Sequence, residues 1–149
     1  MESASASRLG DARSGSFRVI GADTSVLVRY LVGTPPAQAR RAALLVDGGE
    51  EIGISPVALA ECAHVLRTQY GVGQSDIIES LIALVQRENI RVLGQRSDVL
   101  VETLVRARTL RGRPILDALI IAAALERNAL PLATFDREQR RYGVAIREP

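Results

Sequence analysis

The sequence predicts an α/β domain with a central parallel sheet of about four to five strands and helices on both of its faces. Two observations carry the prediction: short apolar runs alternate with helix-period segments, and Pro, Gly or capping residues punctuate them. Strands that alternate with helices return parallel, and both faces of such a sheet are covered. At 149 residues with 47% apolar side chains, the chain suits one core and one domain.

Residues 1–16, MESASASRLGDARSGS, offer almost nothing to bury and read as a disordered lead-in to a single domain over residues 17–149. FRVIGAD, from Phe17, reads as a buried strand, and TSVLVRYLVG as a helix that stops near Gly33. Pro35 and Pro36 open a second helix, which Asp47-Gly48-Gly49 ends. Glu51 to Ser55 is a short strand, and a helix follows from Pro56 to Tyr70, closed by Gly71. Ser75 or Asp76 caps the next helix, whose Ile78, Leu81, Ile82 and Val85 keep helical spacing. IRVLG is a strand, and Ser97 or Asp98 caps a helix that ends near Gly112. Pro114 starts a very apolar helix to Asn128; PLATFD is a strand with its exit, and VAIRE a last strand. Active sites in such sheets lie at the carboxyl ends of the strands.

What is missing narrows the chemistry. The 19 basic residues are all arginine, so P-loop, Schiff-base and receiver-type phosphotransfer sites, which need a lysine, are excluded. His64 is the only histidine, which excludes two-histidine cleavage of RNA and multi-histidine metal sites within one chain. It stands two residues from Cys62 on a predicted helix, where the two side chains diverge, so a Cys–His nucleophile pair fails as well. Glu61 and His64 have the Glu-x-x-His spacing of di-iron bundles, but those need a second copy. His64 therefore reads as structural or surface, and Cys62 as packing. One cysteine, no apolar leader and no span long enough to cross a bilayer make a cytoplasmic, non-membrane protein the expectation. What remains for chemistry is carboxylates, which with a hard cation form a complete toolkit.

Four acids stand among apolar neighbours. Asp23 is the only charge between Val19 and Val28, where the first strand hands over to the first helix. Asp117 is the only charge in ILDALIIAAAL and shares its helical stripe with Ile121 and Ala124. Glu61 borders the apolar arc of Leu59, Cys62, Val65 and Leu66, and Asp136 ends the strand LATF. Unpaired buried carboxylates cost several kcal/mol or become neutral, and a shared divalent cation resolves that conflict. Each acid also has an ordinary alternative: Asp23 as the N-cap of the helix at Thr24, Asp136 as a cap, Glu61 on a solvated border, Asp117 complementing a helix dipole. The net charge is +2; setting the four acids aside leaves 19 arginines against 13 acids, a balance of +6 that suits a polyanion partner.

The stretches IGADTSVLVRYL, ISPVALAECAHVLRTQYG and ILDALIIAAALERNALPLATFDRE, in this order, resemble the PIN-domain nucleases, and among them the VapC-type toxins of toxin–antitoxin pairs. The resemblance runs from about Arg18 to Ile146 and implies a PIN-like three-layer sandwich. It implies that Asp23, Glu61, Asp117 and Asp136 form an acidic pocket for Mg²⁺, with Mn²⁺ as substitute. Asp23 and Asp117 would be the direct ligands, with Glu61 and Asp136 direct or through water, and Thr24, Ser25 and Thr134 the supporting hydroxyls. The residues before Asp117, Pro-Ile-Leu, depart from the aromatic and small residues that relatives often carry there.

The activity implied is metal-assisted hydrolysis of RNA, leaving 5′-phosphate and 3′-hydroxyl ends, by the toxin of a VapBC-type pair. A cognate antitoxin and a second copy of the chain are the protein partners that come with it. A PIN-domain RNA-processing nuclease without a toxin role and a non-catalytic interaction module are the alternatives. Arg111 and Arg113 before Asp117, and Arg137 after Asp136, are the foremost candidates to contact RNA phosphates; Arg106, Arg108, Arg140 and Arg141 flank them. Five aromatic residues in the whole chain argue against a base-stacking platform.

Overall fold

A computed structural model of the chain describes residues 18–149. The expected lead-in over residues 1–16, and Phe17 at the head of the first strand, lie outside the described residues. The chain alternates as expected: β1 (Val19–Gly21), α1 (Thr24–Val32), α2 (Pro36–Val46), β2 (Glu51–Ile54), α3 (Pro56–Tyr70), α4 (Gln74–Val85) and β3 (Ile90–Val92). Then follow α5 (Ser97–Ala107), α6 (Pro114–Glu126), β4 (Leu132–Ala133), a 3₁₀ helix over Arg137–Tyr142, and β5 (Ile146–Arg147).

The punctuation explains most boundaries. Pro36, Pro56 and Pro114 each occupy a first helical position, where a missing N–H costs nothing. Gly33 and Gly71 end α1 and α3 in the left-handed region, at φ of 81° and 63°. Two expected caps are corrected. Gly73 precedes α4, so Ser75 and Asp76 lie in its first turn, where Asp76 complements the helix dipole. The start of α5 is held from a distance: the Arg96 backbone N–H donates to Glu126 Oε2 at 2.7 Å. That helix stops at Ala107 rather than near Gly112, because Leu110 turns back onto the Ala107 carbonyl and Arg108 is anchored on Glu79 at 2.5 and 2.9 Å.

The sheet differs from a single one of four to five strands. β1, β2 and β3 form a parallel sheet with β2 central, Ile20 opposite Ile52 and Ile54 opposite Val92. β4 and β5 form a separate parallel pair. Leu132 and Thr134 donate their N–H groups to Ala145 and Arg147. On the opposite edge of β4, Pro131 has no N–H to offer, which leaves that edge poorer in donors, with the Ala133 N–H beside it.

Ile52 and Ile54 of β2 are fully buried among Leu27 of α1, Leu59 and Cys62 of α3, Ile77, Ile78 and Leu81 of α4, Leu100 and Leu104 of α5, and Ile121 of α6. α3 packs against both α1 and α6. No helix among the described residues is long and apolar enough to cross a membrane.

Candidate functional site

Each of the four acids is placed by its local chain. Asp23 leaves β1 with extended backbone and caps α1. Its Oδ1 accepts hydrogen bonds from the Ser25 hydroxyl at 2.6 Å, the Ser25 N–H at 3.0 Å and the Val26 N–H at 3.4 Å. The Ser25 hydroxyl first, and the Val26 N–H next, hold the Asp23 carboxyl below its ordinary range, so it stays charged. Every one of these donors uses Oδ1; Oδ2 has no partner among the described residues.

Thr24, in the first turn of α1, donates its hydroxyl to Glu61 Oε2 at 2.8 Å and so ties α1 to α3. The other Glu61 oxygen has no partner among the described residues. Asp136 follows β4 and caps the 3₁₀ helix: its N–H donates to Thr134 Oγ1, and its Oδ1 accepts from the Glu138 N–H, both at 2.9 Å. Each of the three hydroxyl residues thus touches one of the acids or that acid's backbone.

Asp117 lies in the first turn of α6, half-buried, its N–H donating to the Arg113 carbonyl at 3.2 Å. It shares a cleft with Asp136, and Arg111, Arg113, Glu138 and Arg141 complete the rim. Tyr142 closes the base. Its hydroxyl donates to the Pro114 carbonyl at 2.6 Å, and the Arg106 guanidinium donates to the Tyr142 carbonyl. This clamps the segment after Asp136 onto the first turn of α6. Burial above all, and the nearby charge of Asp117 after it, push the Tyr142 phenol above its ordinary range. Sequence reasoning missed the clamp, since its only signal is one large aromatic in the charged run REQRRYG.

Two expectations are corrected. Asp23, Glu61 and Asp136 are exposed and Asp117 is only half-buried, so burial does not force the four charges onto an ion. Apolar neighbours in sequence do not bury a side chain that leaves a strand end or a helix rim. The acids also form two pairs rather than one cluster: Asp23 and Glu61 linked through Thr24, and Asp117 and Asp136 facing one cleft. Among the described residues no three acidic, histidine or cysteine side chains stand close enough to hold one ion.

A hard divalent ion fits this donor set all the same. The donors are carboxylate oxygens, and Mg²⁺ takes one or two protein carboxylates, keeps several waters and completes its shell with substrate phosphates. A pair of acids with unengaged oxygens meets that need without a closed protein cage.

Of the arginines, Arg111 and Arg113 reach the cleft, whereas Arg137 turns to Glu148 at 3.7 Å. Arg141 lines the cleft but pairs with Glu138 at 2.8 Å. Arg106 and Arg108 hold Glu102 and Glu79, and Arg140 is exposed. Cys62 is fully buried, and His64 is exposed beside a separate cavity.

The family model of the PIN domain matches residues 21–145. PIN domains are generally nucleases that act on nucleic acid with divalent ions such as Mg²⁺. No curated protein and no solved structure matches the chain. The match runs from the end of β1 to the threshold of β5 and takes in all four acids, and on that ground the chain belongs to the PIN-domain family.

Proposed function

We propose that this chain is a Mg²⁺-dependent endoribonuclease that leaves 5′-phosphate and 3′-hydroxyl ends, and that it acts as the toxin of a VapBC-type toxin–antitoxin pair in the cytoplasm. The observation that carries the nuclease reading is the cleft in which Asp117 and Asp136, from a helix start and a strand exit, face Arg111 and Arg113. Acids to hold a cation and cations to hold a phosphate meet there at the ends of secondary-structure elements, where such folds place their sites.

In this reading Asp23 and Asp117, one carboxylate from each pair, would hold the ion between the two pairs, with Glu61 and Asp136 direct or through water. When bound, the ion supplies a water of lowered pKa and neutralises charge building on the phosphoryl oxygens. The residues of the chain do the rest. Ser25 keeps Asp23 ionised and aimed by donating to Oδ1, Thr24 fixes the rotamer of Glu61, and Thr134 holds the backbone from which Asp136 projects. Arg111 and Arg113 grip the flanking phosphate oxygens, and with so few aromatics, recognition rests on phosphates and RNA shape.

The toxin assignment rests on the resemblance of Asp23-Thr24-Ser25, Asp117-Ala118-Leu119-Ile120 and Thr134-Phe135-Asp136 to VapC-type chains. A cognate antitoxin and a second copy of the chain are the partners it brings. The exposed apolar side chains of Val57, Ile120 and Phe135 leave apolar surface open to protein partners. One observation favours a second reading, a PIN-like module that binds RNA without cutting: no three of the acids converge among the described residues.

Product analysis separates the two. Incubation of the chain with RNA and Mg²⁺ is expected to yield 5′-phosphate and 3′-hydroxyl ends, and excess EDTA to stop the reaction. Cyclic phosphates, or cutting that persists in EDTA, would overturn the mechanism; intact RNA would favour the binding module. For the toxin role, expression of the chain alone should arrest growth, and co-expression of a short reading frame beside its gene should relieve the arrest. Growth without arrest points to an RNA-processing nuclease.

A further inference from the structure

Beside the acidic cleft lies a second cavity of about 120 Å³, between α3, the start of α4 and the start of α6. Its floor is apolar, with Ala63, Ile77 and Ile115 buried. Its polar rim is His64, Arg67 and Arg113, with Gln74 opposite, and no carboxylate lines it. Arg113 lines both cavities. The geometry of α3 repeats the connection: Glu61, tied to the site through Thr24, is followed by His64 one turn later and Arg67 one turn beyond.

From this we infer that the cavity is a subsite for the nucleotide flanking the cut phosphate, taking its base against the apolar floor and a phosphate between Arg67 and Arg113. The inference rests on the nuclease reading above and says where the RNA runs once it leaves the acids. Charge is the first argument. Arg87, Arg91, Arg96, Arg106, Arg108, Arg137 and Arg141 each pair with a carboxylate, whereas Arg67 and Arg113 are among the arginines that meet none among the described residues, and both line this cavity. Two arginines without local partners at the mouth of one cavity form an anion site, and the planar guanidinium suits a phosphate. Size is the second. The cavity is well below the roughly 300 Å³ of a pocket that encloses a whole drug-sized ligand, so it admits one flat ring rather than a free nucleotide. Continuity is the third, since Arg113 stands where a strand passing from one cavity to the other must go.

His64 makes the test direct, because as the only histidine it gives a single set of imidazole NMR signals. The full chain carrying Asp117→Asn, with Mg²⁺ present, is titrated with a short fluorescein-labelled single-stranded RNA while anisotropy and the His64 signals are followed together. Both are expected to move with the same midpoint. Arg67→Ala in that background should weaken binding roughly tenfold and lower the salt slope by about 0.7 to 1. In the cutting chain, Arg67→Ala should raise KM and leave kcat near the unsubstituted value. RNA that binds without moving His64, with Arg67→Ala silent, overturns the subsite and leaves the nuclease reading standing. An oligo-glutamate peptide that moves His64 where RNA does not assigns the cavity to a protein partner and overturns the subsite. RNA that neither binds nor is cut defeats both readings.

Discussion

Replacing Asp23 by alanine and by asparagine separates the two jobs this side chain holds. Its Oδ1 is the N-cap of α1, accepting from the Ser25 and Val26 N–H groups. Alanine removes that acceptor, at a cost of about 1 kcal/mol within a range of about 0.5–2, or about 2–4 °C in Tm for each kcal/mol in a domain of this size. Asparagine keeps an oxygen in the same place, caps as well as aspartate, and should hold Tm within about a degree of the unsubstituted chain. What asparagine loses is the negative charge on the unengaged Oδ2. If that oxygen holds the cation, Asp23→Asn should lower RNA cleavage by about 100-fold or more, since even partners that only support a metal ligand are worth 10–100-fold. Thermal unfolding by circular dichroism and a gel assay on one labelled RNA measure both effects. An Asp23→Asn chain that cuts RNA as fast as the unsubstituted chain refutes the reasoning, leaving Asp23 a cap and nothing more.

Three further outcomes follow from the same geometry. Tyr142→Phe leaves the Pro114 carbonyl without its buried donor and should cost about 1–3 kcal/mol, read as a fall in Tm; an unchanged Tm would mean that the bond at 2.6 Å holds nothing. Thr24→Val keeps the shape but removes the donor to Glu61, in an exposed bond; Tm should barely change while cleavage falls, and cleavage at the unsubstituted rate would detach Glu61 from the site. Burial pushes the Cys62 thiol up to about 12, so it should resist a thiol reagent until the chain unfolds. The folded pKa lies above the ordinary 9.0, so the stability contribution is full below about pH 9 and is lost as the pH climbs toward 12. Rapid labelling of the native chain at pH 8 would contradict the buried placement.

Much of the fold was legible because its punctuation is local. Prolines at helix starts and left-handed glycines at helix ends act through one residue's own backbone, and Pro36, Pro56, Pro114, Gly33 and Gly71 do so here. What was not legible depends on partners far along the chain. Glu126 takes the Arg96 N–H at the start of α5 from 30 residues away, and the pairing of β4 with β5 rests on the N–H groups of Leu132 and Thr134 meeting a strand that comes after them in the chain. The 3₁₀ helix escaped notice because four of the six residues of REQRRY are charged and only Gln139 and Tyr142 turn inward.

For the site, acids among apolar neighbours were legible in the sequence and the family resemblance supplied the hydroxyls beside them; the structure sets Thr24 on Glu61 and Ser25 on Asp23. Sequence spacing misjudged their surroundings. The stripe that Asp117 shares with Ile121 leads into the core, yet one turn from the helix start its carboxyl reaches a cleft, half-buried and not enclosed. Helical periodicity reports the face a residue lies on, not whether the end of that face is open.

The nuclease reading requires carboxylates from two separate parts of the chain to serve one cation. Calorimetric titration with Mn²⁺ of the unsubstituted chain, Asp23→Asn, Asp117→Asn and the double variant tests it most directly. Each single substitution should weaken binding and the double variant should be hardly worse than either, a coupling well above the roughly 0.3–0.5 kcal/mol scatter of independent sites. Losses that simply add, or Mn²⁺ binding indifferent to either carboxylate, would mean that the two halves never share an ion.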